Sequence, residues 1–344
     1  MGFWQGENTA KHVYEPATLT KWLMPKNGSG NDYNGLGRKD VYRALPQFHS
    51  PTPHPWFKVT ALFFFRTMGG NFNTVISAVK HKWREVTGHV PVADEVVRKS
   101  PEEFTAEVKK IALAHPEVEV VGITRMKDEY RFEGHDSSQY KWVITVGRSM
   151  DYDSLARNLK GDFSSAITQV IGGYELTQRG AVHVANWIRS QGWPAKGYGG
   201  LSTTEGEWFL SMPPAIASGI GQLAKNGSMI SDKLGSAFRI ASVLTDMPLV
   251  EDKPREIGVD EFCMSCKKCT EDCPPGAISD KKQMVRGVEK WYVDFDKCMP
   301  FVTEHNACGI CLSTCPWSRP GVAPSLSQKM LKKMARRQET ELAS

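Results

Sequence analysis

The pattern of hydrophobic and polar positions divides the middle of the chain into helices and strands. Ser100 is suited to cap a helix over 101–114, with Glu102 and Glu103 in its first turn. Amphipathic stretches predict two more helices, at 153–159 and 166–189. Runs of β-branched and apolar residues predict strands at 118–124, 142–147 and 237–244. Because strands alternate with helices, we expect an α/β (or α+β) domain, with helices flanking a sheet.

Outside this middle region the periodicity weakens, and three further segments can be distinguished. Residues 1–55 are rich in Gly, Asn, Pro and His, and we interpret them as an N-terminal arm whose aromatic residues pack over the main domain. The main domain would extend over 56–257. A module at 258–320 carries every cysteine, and a basic helix or tail at 321–344 follows it. We therefore expect two folded domains with an extension at each end.

Composition adds little to this division but disfavours some partners. The 344 residues are 40% hydrophobic and 24% charged, as in an ordinary globular protein, and the formal net charge is +5. No nucleic-acid-binding motif accompanies this modest charge, so no nucleic-acid partner is expected. The first residues lack the cationic and apolar regions of a secretory signal, and the most apolar run, 59–65, is too short to cross a bilayer. We therefore predict a cytoplasmic protein.

The eight cysteines form two runs near the C-terminus, and both runs end in Cys-Pro. The first run has the spacing C-x2-C-x2-C-x3-C, and the second has C-x9-C-x2-C-x3-C. These runs are typical of a two-cluster ferredoxin-like module, in which the fourth cysteine of each run binds the other cluster. We therefore predict two 4Fe-4S clusters: cluster 1 on Cys263, Cys266, Cys269 and Cys315, and cluster 2 on Cys298, Cys308, Cys311 and Cys273. Structural zinc and disulfides are alternatives that these spacings do not favour.

Two stretches upstream of the second run resemble a known family. One is GGYELTQRGAVHVANWIRSQGWPAKGYGG, at 172–200, and the other extends from Ser211 through the first cysteine run to Ile278. Together with CGICLSTCPW at 308–317, they resemble the catalytic subunit of the corrinoid-dependent reductive dehalogenases. The resemblance covers about residues 140–320. A weaker likeness extends to epoxyqueuosine reductase, a related cobalamin and iron–sulfur enzyme.

The resemblance implies a cobalamin-binding domain with a nitroreductase-like sheet, and a base-off corrinoid that has no protein ligand on cobalt. The sequence is compatible with this, because it lacks the D-x-H-x-x-G motif that other corrinoid proteins use to supply an axial histidine. The resemblance also implies that Tyr174 is the proton donor of a reductive cleavage. Because a free tyrosine titrates at about 10, such a donor needs a cationic neighbour, and the resemblance gives this role to Lys225.

Small and polar residues on either side of 211 are candidates to contact the corrinoid, since small residues let the backbone approach a flat macrocycle. The candidates are Ala215, Ser218, Gly219, Gly221, Asn226, Gly227, Ser228, Gly200 and Ser202. Tight helix packing explains the small residues of 215–221 almost as well. Weaker candidates for an aromatic substrate pocket are Tyr152, Trp193 and Trp56, with Trp4 if the arm folds over it.

We therefore expect a reductive dehalogenase, an oxidoreductase that uses cobalamin to cleave the carbon–halogen bond of an organohalide. A donor such as ferredoxin or flavodoxin would supply electrons through the two clusters, and a homo-oligomer is compatible with the sequence. One alternative is a corrinoid reductase of the epoxyqueuosine type that acts on another substrate. The other is a non-catalytic iron–sulfur electron-transfer protein, which would bind no corrinoid.

Overall fold

The three strands predicted in the middle of the chain pair in one sheet, which a fourth strand completes. The computed structural model describes residues 14–46, 54–69, 71–134, 140–200 and 209–342. Its α-helices are α1 Thr18–Leu23, α2 Gly30–Tyr33, α3 Phe57–Gly69, α4 Phe72–Thr87, α5 Pro101–Ala114, α6 Tyr152–Ala156, α7 Phe163–Ser190, α8 Met212–Ala217, α9 Val259–Ser265, α10 Lys268–Glu271, α11 Phe295–Glu304, α12 Ile310–Ser313 and α13 Val322–Leu342. Its strands are β1 Val120–Arg125, β2 Trp142–Ser149, β3 Ala195–Tyr198, β4 Gln222–Leu223, β5 Met229–Ile230, β6 Phe238–Thr245, β7 Gln283–Val285 and β8 Val288–Lys290.

The main sheet has the strand order β1-β2-β6-β3, and each neighbouring pair is antiparallel. An alternating α/β chain would instead give parallel strands joined by crossover helices. Here β6 lies between β2 and β3 and runs against both, so the domain is α+β and the α/β form of the prediction is wrong. The more specific description of the sheet as nitroreductase-like stays a prediction.

Alternation along the strands gives the sheet two different faces. One face carries Ile144 and Val243, which are fully buried in the main core against α5 and α7. Each such side chain contributes about 1.5–3 kcal/mol when it is buried. The other face carries Gly122, Thr145 and Ser242 in register across β1, β2 and β6. Gly122 has no side chain because Ser218, just after α8, lies directly over it: a Cβ there would be 2.5 Å from the Ser218 hydroxyl.

The predicted helices agree with local capping signals. The helix α5 has the predicted bounds and a complete capping box between Ser100 and Glu103. The helix α7 begins before the predicted 166 because Asp162 caps it and accepts a hydrogen bond from the Ser165 amide at 3.1 Å. The predicted helix at 153–159 is the short α6 followed by a 3-10 turn at Arg157–Lys160. Along the described residues, no helix combines the length and hydropathy that a membrane span requires.

The described part of the N-terminal arm contacts the cysteine module as well as the main domain, where the sequence led us to expect it. On the main-domain side, the Glu133 amide donates to the Ala44 carbonyl at 2.8 Å. Asp296 of the module accepts hydrogen bonds from the Ser29 hydroxyl at 2.5 Å and the Gly30 amide at 2.7 Å. Asn31 donates to Asp294 at 2.9 Å. These contacts form because Asp294 and Asp296 are at the start of α11, where their carboxylates accept hydrogen bonds from the arm. The four-segment division itself stays a prediction, and Trp4 lies outside the described residues.

Candidate active site and cysteine module

The cysteine side chains lie in two groups of four in the module. Cys269 interacts electrostatically with Cys263, Cys266 and Cys315. Cys311 interacts in the same way with Cys273, Cys298 and Cys308, and also with Cys269. These groups are the two sets that the sequence assigns to cluster 1 and cluster 2, and they adjoin each other. That each set binds a cluster stays a prediction.

The sulfur atoms have the environment that iron–sulfur ligands require. Burial raises the pKa of Cys263 to about 11 and the pKa values of Cys269 and Cys315 to about 12. The thiols are therefore protonated without iron, and iron must displace those protons. Backbone amides point at several sulfurs; the Ala277 amide, for example, donates to the Cys273 Sγ at 3.3 Å. Such N–H···S bonds stabilise thiolate ligands and tune cluster potentials.

No three His, Cys, Asp or Glu side chains in the described ranges come close enough together to hold a single metal ion. The four cysteines Cys263, Cys266, Cys269 and Cys315, called cysteine group 1, line a small cavity together with Lys225, Asn226, Phe262 and Pro316.

Tyr174 lies on α7 and packs against a buried apolar cluster that contains Ile171 of α7 and Leu312 of α12. Cys311 of the second cysteine group packs against the same cluster. The segment just after β3 contacts the ring: a Cβ at Gly200 would lie 2.2 Å from the Tyr174 Cε1. Gly200 was predicted to contact a corrinoid, and in the structure it contacts Tyr174.

The cation beside Tyr174 is Arg239 of β6, whose guanidinium carbon lies 4.9 Å from the ring centroid. Sequence reasoning missed this residue. The available signal was an arginine inside an otherwise apolar strand, where a charged side chain needs a specific partner. The Nε of Arg239 is buried and has no hydrogen-bond partner.

Lys225, which the resemblance placed beside Tyr174, forms hydrogen bonds with the cysteine module. It lies in the turn between β4 and β5, is 1% exposed, and its amine donates to the Cys266 carbonyl at 2.8 Å and to Asp280 at 3.1 Å. The amine also lies 5.1 Å from the Trp291 ring. The described contacts of the Lys225 amine are with carbonyl and carboxylate acceptors of the module beside cysteine group 1. That Lys225 is the cationic neighbour of Tyr174 stays a prediction without support from these contacts.

The residues predicted to contact a corrinoid lie mainly in one unit, the stretch from α8 through β4 and β5. Several of its glycines have a packing reason: a Cβ would be 2.6 Å from the Lys253 carbonyl at Gly219 and 2.3 Å from the Ile230 carbonyl at Gly221. Asn226 donates to the Cys311 carbonyl at 3.1 Å and so connects this unit to cysteine group 2. Of the remaining candidates, Ala215 is fully buried beside Ile220 and Met229, and the Ser218 hydroxyl donates to the Ala215 carbonyl. Gly227 has a left-handed backbone conformation with φ of 73°. The Ser228 carbonyl accepts from the Ala224 amide, and the Ser228 amide donates to the Asn226 side chain. Ser202 lies outside the described residues.

An open cavity of about 400 Å³ lies at one edge of this unit. Ser218 and Gly219 line it together with four cations and two acids, namely Lys109, Lys233, Lys253, Arg255, Asp232 and Asp252. The excess of cations favours an anionic group.

The three aromatic residues proposed for a substrate pocket each have packing partners elsewhere. Trp193 donates to the Val97 carbonyl at 3.1 Å beside the main core. Trp56 packs edge-on to Phe295 of the module, and the Tyr152 hydroxyl donates to the Ser313 carbonyl. Their described contacts do not include Tyr174, so a shared pocket stays a prediction without support from these contacts.

The comparisons with known proteins agree with this arrangement. Residues 262–319 match a family model described as a 4Fe-4S dicluster domain. A tetrachloroethene reductive dehalogenase of Desulfitobacterium hafniense is 32% identical over 215 residues, which are 59% of this chain and 37% of that protein. Over that stretch this chain is similar to a reductive dehalogenase. It spans little more than a third of that relative's length.

More distant matches have the same character. An epoxyqueuosine reductase of Atelocyanobacterium thalassa is 29% identical over 123 residues, or 30% of this chain and 36% of that protein. The catabolic reductive dehalogenase NpRdhA, solved in complex with 3-bromo-4-hydroxybenzoic acid, matches with a TM-score of 0.66 and 17% identity, over 91% of this chain and 47% of that one. A solved reductive dehalogenase whose structure suggests a mechanism for B12-dependent dehalogenation matches with a TM-score of 0.68 and 17% identity, over 90% of this chain and 46% of that one. At such identity these two structures show the shared fold.

Proposed function

We propose that this chain is a reductive dehalogenase that uses cobalamin and two 4Fe-4S clusters, with Tyr174 as the proton donor. The observation that carries the proposal is that Tyr174 and Cys311 of the second cysteine group pack against the same buried apolar cluster. The proposed proton donor and one predicted cluster ligand therefore lie against the same part of the core. The relatives named as reductive dehalogenases support the same reaction type.

Residues on the sheet face that does not pack on α5 and α7 would fit a corrinoid. Thr145 and Ser242 are buried, lie opposite each other on β2 and β6, and have hydroxyls without hydrogen-bond partners. Buried hydroxyls of this kind are usually satisfied by a ligand or ordered water, and a corrin ring carries many amide groups that could pair with them. Ser218 and Gly219, on the same side of the sheet, border the cation-rich cavity, which would suit the phosphate of a nucleotide tail. The base-off state and the absence of a protein ligand on cobalt stay predictions.

The reaction replaces a carbon–halogen bond by a carbon–hydrogen bond with two electrons and one proton, and the halogen leaves as halide. Bound cobalamin would supply the reduced cobalt that cleaves the bond, and the clusters would supply its electrons one at a time. The chain's own residues exclude water, through the apolar packing around Tyr174, and hold the proton on the Tyr174 hydroxyl. Arg239 stabilises the phenolate that remains after the proton has left, since an adjacent positive charge favours the ionised form.

A ferredoxin or flavodoxin as electron donor, an organohalide as substrate and a cytoplasmic location all belong to this proposal. The deciding experiment is anaerobic reconstitution of the full chain with iron, sulfide and cobalamin, followed by metal analysis and a halide-release assay. We expect about eight irons and one cobalt per chain, since each cubane carries four irons. Iron without corrinoid uptake would favour the electron-transfer alternative. Corrinoid uptake with activity only on epoxyqueuosine-containing RNA would favour the epoxyqueuosine-reductase alternative.

Replacement of Tyr174 by Phe tests the proton donor. We expect Tyr174→Phe to lower halide release by at least about a hundredfold, the range found when a positioned acid is removed. Iron and cobalt contents should not change, because the ring and its packing are retained. Tyr33→Phe is the control, since the Tyr33 hydroxyl donates to the Pro46 carbonyl in the N-terminal arm. Undiminished turnover by Tyr174→Phe would exclude Tyr174 as the donor.

A further inference from the structure

Two polar side chains near Tyr174 are buried without any hydrogen-bond partner. His81 of α4 is 2% exposed and Gln178 of α7 is fully buried. Both ring nitrogens of His81 and both amide atoms of Gln178 are unpaired. A buried polar group left unpaired destabilises the folded state, so two such side chains together need an explanation.

The contacts of one short backbone segment place these side chains beside the proposed proton donor. A Cβ at Gly199 would lie 2.2 Å from the His81 Cε1 and 3.1 Å from the Gln178 Cβ. At the next residue, Gly200, a Cβ would lie 2.2 Å from the Tyr174 Cε1. Gln178 follows Tyr174 by four residues on α7, so both are on the same side of the helix. Consecutive residues after β3 therefore contact all three side chains.

The pair His81–Gln178 is electrically neutral. Burial lowers the pKa of His81 to about 4, although Glu85 acts in the opposite direction. The nearby Arg84 is paired with Glu175 at 2.8 Å, and Glu175 also accepts from Arg179 at 3.0 Å. A neutral imidazole offers one donor and one acceptor, and a carboxamide offers both kinds as well. A ligand group that complements this pair is therefore uncharged and can both donate and accept a hydrogen bond.

We propose that His81 and Gln178 bind a hydroxyl group of the substrate and so select halogenated phenols over halogenated alkenes or ethers. This inference rests on the proposed function, because it places the hydroxyl beside the Tyr174 proton donor. A halogenated alkene has no group that forms hydrogen bonds with the four unpaired polar atoms. An aryl methyl ether has an acceptor oxygen but no proton to donate. A substrate hydroxyl can donate to one side chain while it accepts from the other.

The test compares a halogenated phenol with its O-methyl ether in the reconstituted holoenzyme. Equilibrium binding is measured by calorimetry, and halide release gives kcat and KM. We expect the wild type to bind the phenol at least about tenfold more tightly than the ether, which corresponds to one hydrogen bond of ~1.4 kcal/mol. His81→Phe and Gln178→Met should each remove most of this preference through KM for the phenol, with little change for the ether. Two variants on different helices are used in case one of them fails to fold.

The control is His183→Phe, which removes an exposed histidine of α7. It should keep the preference for the phenol. Equal affinity of the wild type for phenol and ether would overturn the inference. The inference would also be overturned if His81→Phe and Gln178→Met stabilised the protein and kept the preference for the phenol. The two side chains would then be hydrogen-bonded by internal water and not by the substrate. Failure of the proposed function has a different signature: no halide release from either compound, with the binding preference still measurable.

Discussion

At the residue scale, the tyrosine proposed as proton donor obtains its positive charge from the sheet. Arg239 is on β6, and a Cβ at Gly173 of α7 would lie 2.9 Å from the Arg239 Cγ, so the arginine stem passes between strand and helix. The guanidinium is therefore fixed by two elements over the ring of Tyr174. A charge held in this way needs little reorganisation when a phenolate forms.

Replacement of Arg239 tests this role. We expect Arg239→Gln to lower kcat by at least about tenfold, because the phenolate loses an adjacent charge in a site of low dielectric. Arg239→Lys should restore part of the rate. Arg148→Gln is a matched control, since Arg148 lies directly opposite Arg239 in the β2–β6 register. The measurement is halide release by samples of equal iron and cobalt content, and equal rates for Arg239→Gln and wild type would contradict the role.

The sequence was sufficient for some of these residues and not for others. Ligand spacing is local, so the two cysteine runs predict the two groups of four. The place of Lys225 depends on acceptors 41 and 55 residues away, Cys266 and Asp280, which no local pattern could reveal. His81 and Gln178 were missed for the same reason, because unpaired buried atoms are visible only after helices and strands have packed.

At the scale of elements, the segment just after β3 packs against α7 only because Gly200 has no side chain. We expect Gly200→Ala to displace the Tyr174 ring and to lower turnover several-fold or more, since the new methyl group would overlap the Cε1 atom. Gly172→Ala on the same helix is the control: its Cβ meets nothing within 4 Å, and alanine favours a helix by roughly 1 kcal/mol. Turnover and thermal unfolding are measured together. A fully active Gly200→Ala enzyme would show that the position of the ring is unimportant.

The helix α4 could not be placed from its hydrophobic pattern. Its buried residues are Thr74, Ala78, His81 and Glu85, whereas its large apolar residues are exposed. A pattern-based argument turns the apolar face of a helix toward the core. Here the polar face packs on α7, and Arg84 of α4 donates a hydrogen bond to Glu175 of α7 at 2.8 Å. The burial is therefore the reverse of the pattern, and it coincides with the inferred hydroxyl site.

The turn between β4 and β5 places a buried positive charge beside cysteine group 1. Removing it in Lys225→Met leaves Asp280 and the Cys266 carbonyl without their donor. We expect the potential of one cluster to become more negative by roughly tens of millivolts, since net charge and nearby hydrogen bonds set cluster potentials. Lys282→Met is the control, because Lys282 also lies over Trp291 but is 30% exposed and paired with Asp260. The readout is a redox titration followed by electron paramagnetic resonance, and an unchanged potential would contradict the prediction.

At the scale of the whole molecule, the cysteine module connects parts of the chain that are distant in sequence. Tyr14 of the arm donates to Glu304 of α11 at 2.8 Å, and Asn158 of the main domain donates to the Cys308 carbonyl at 2.9 Å. Cluster loading should therefore stabilise more than the module, because binding that requires the folded state adds to its stability. The sequence predicted three of the four strands of the main sheet, but not β3 and not these long-range contacts.

The stability of the whole molecule should depend on three neutral histidines, of which two are buried and one, His89, is partly buried. Burial lowers the pKa values of His54, His81 and His89 from 6.5 to about 4. His89 also accepts a hydrogen bond from the Gly197 amide at 2.9 Å, which requires a neutral ring nitrogen. Between these two pH values the unfolded chain binds more protons than the folded protein, so the free energy of unfolding falls as the pH is lowered from 6.5 toward 4.

We expect the urea midpoint of the holoprotein to decrease between pH 7 and pH 5, with tryptophan fluorescence as the probe and cluster absorbance as the check that both clusters remain. His81→Phe should make this decrease smaller, because one group that takes up a proton on unfolding is removed. His183→Phe should leave it as in the wild type, since His183 is exposed in the folded protein. A midpoint that stays constant across this range, or that rises as the pH falls, would contradict the assignment of neutral buried histidines.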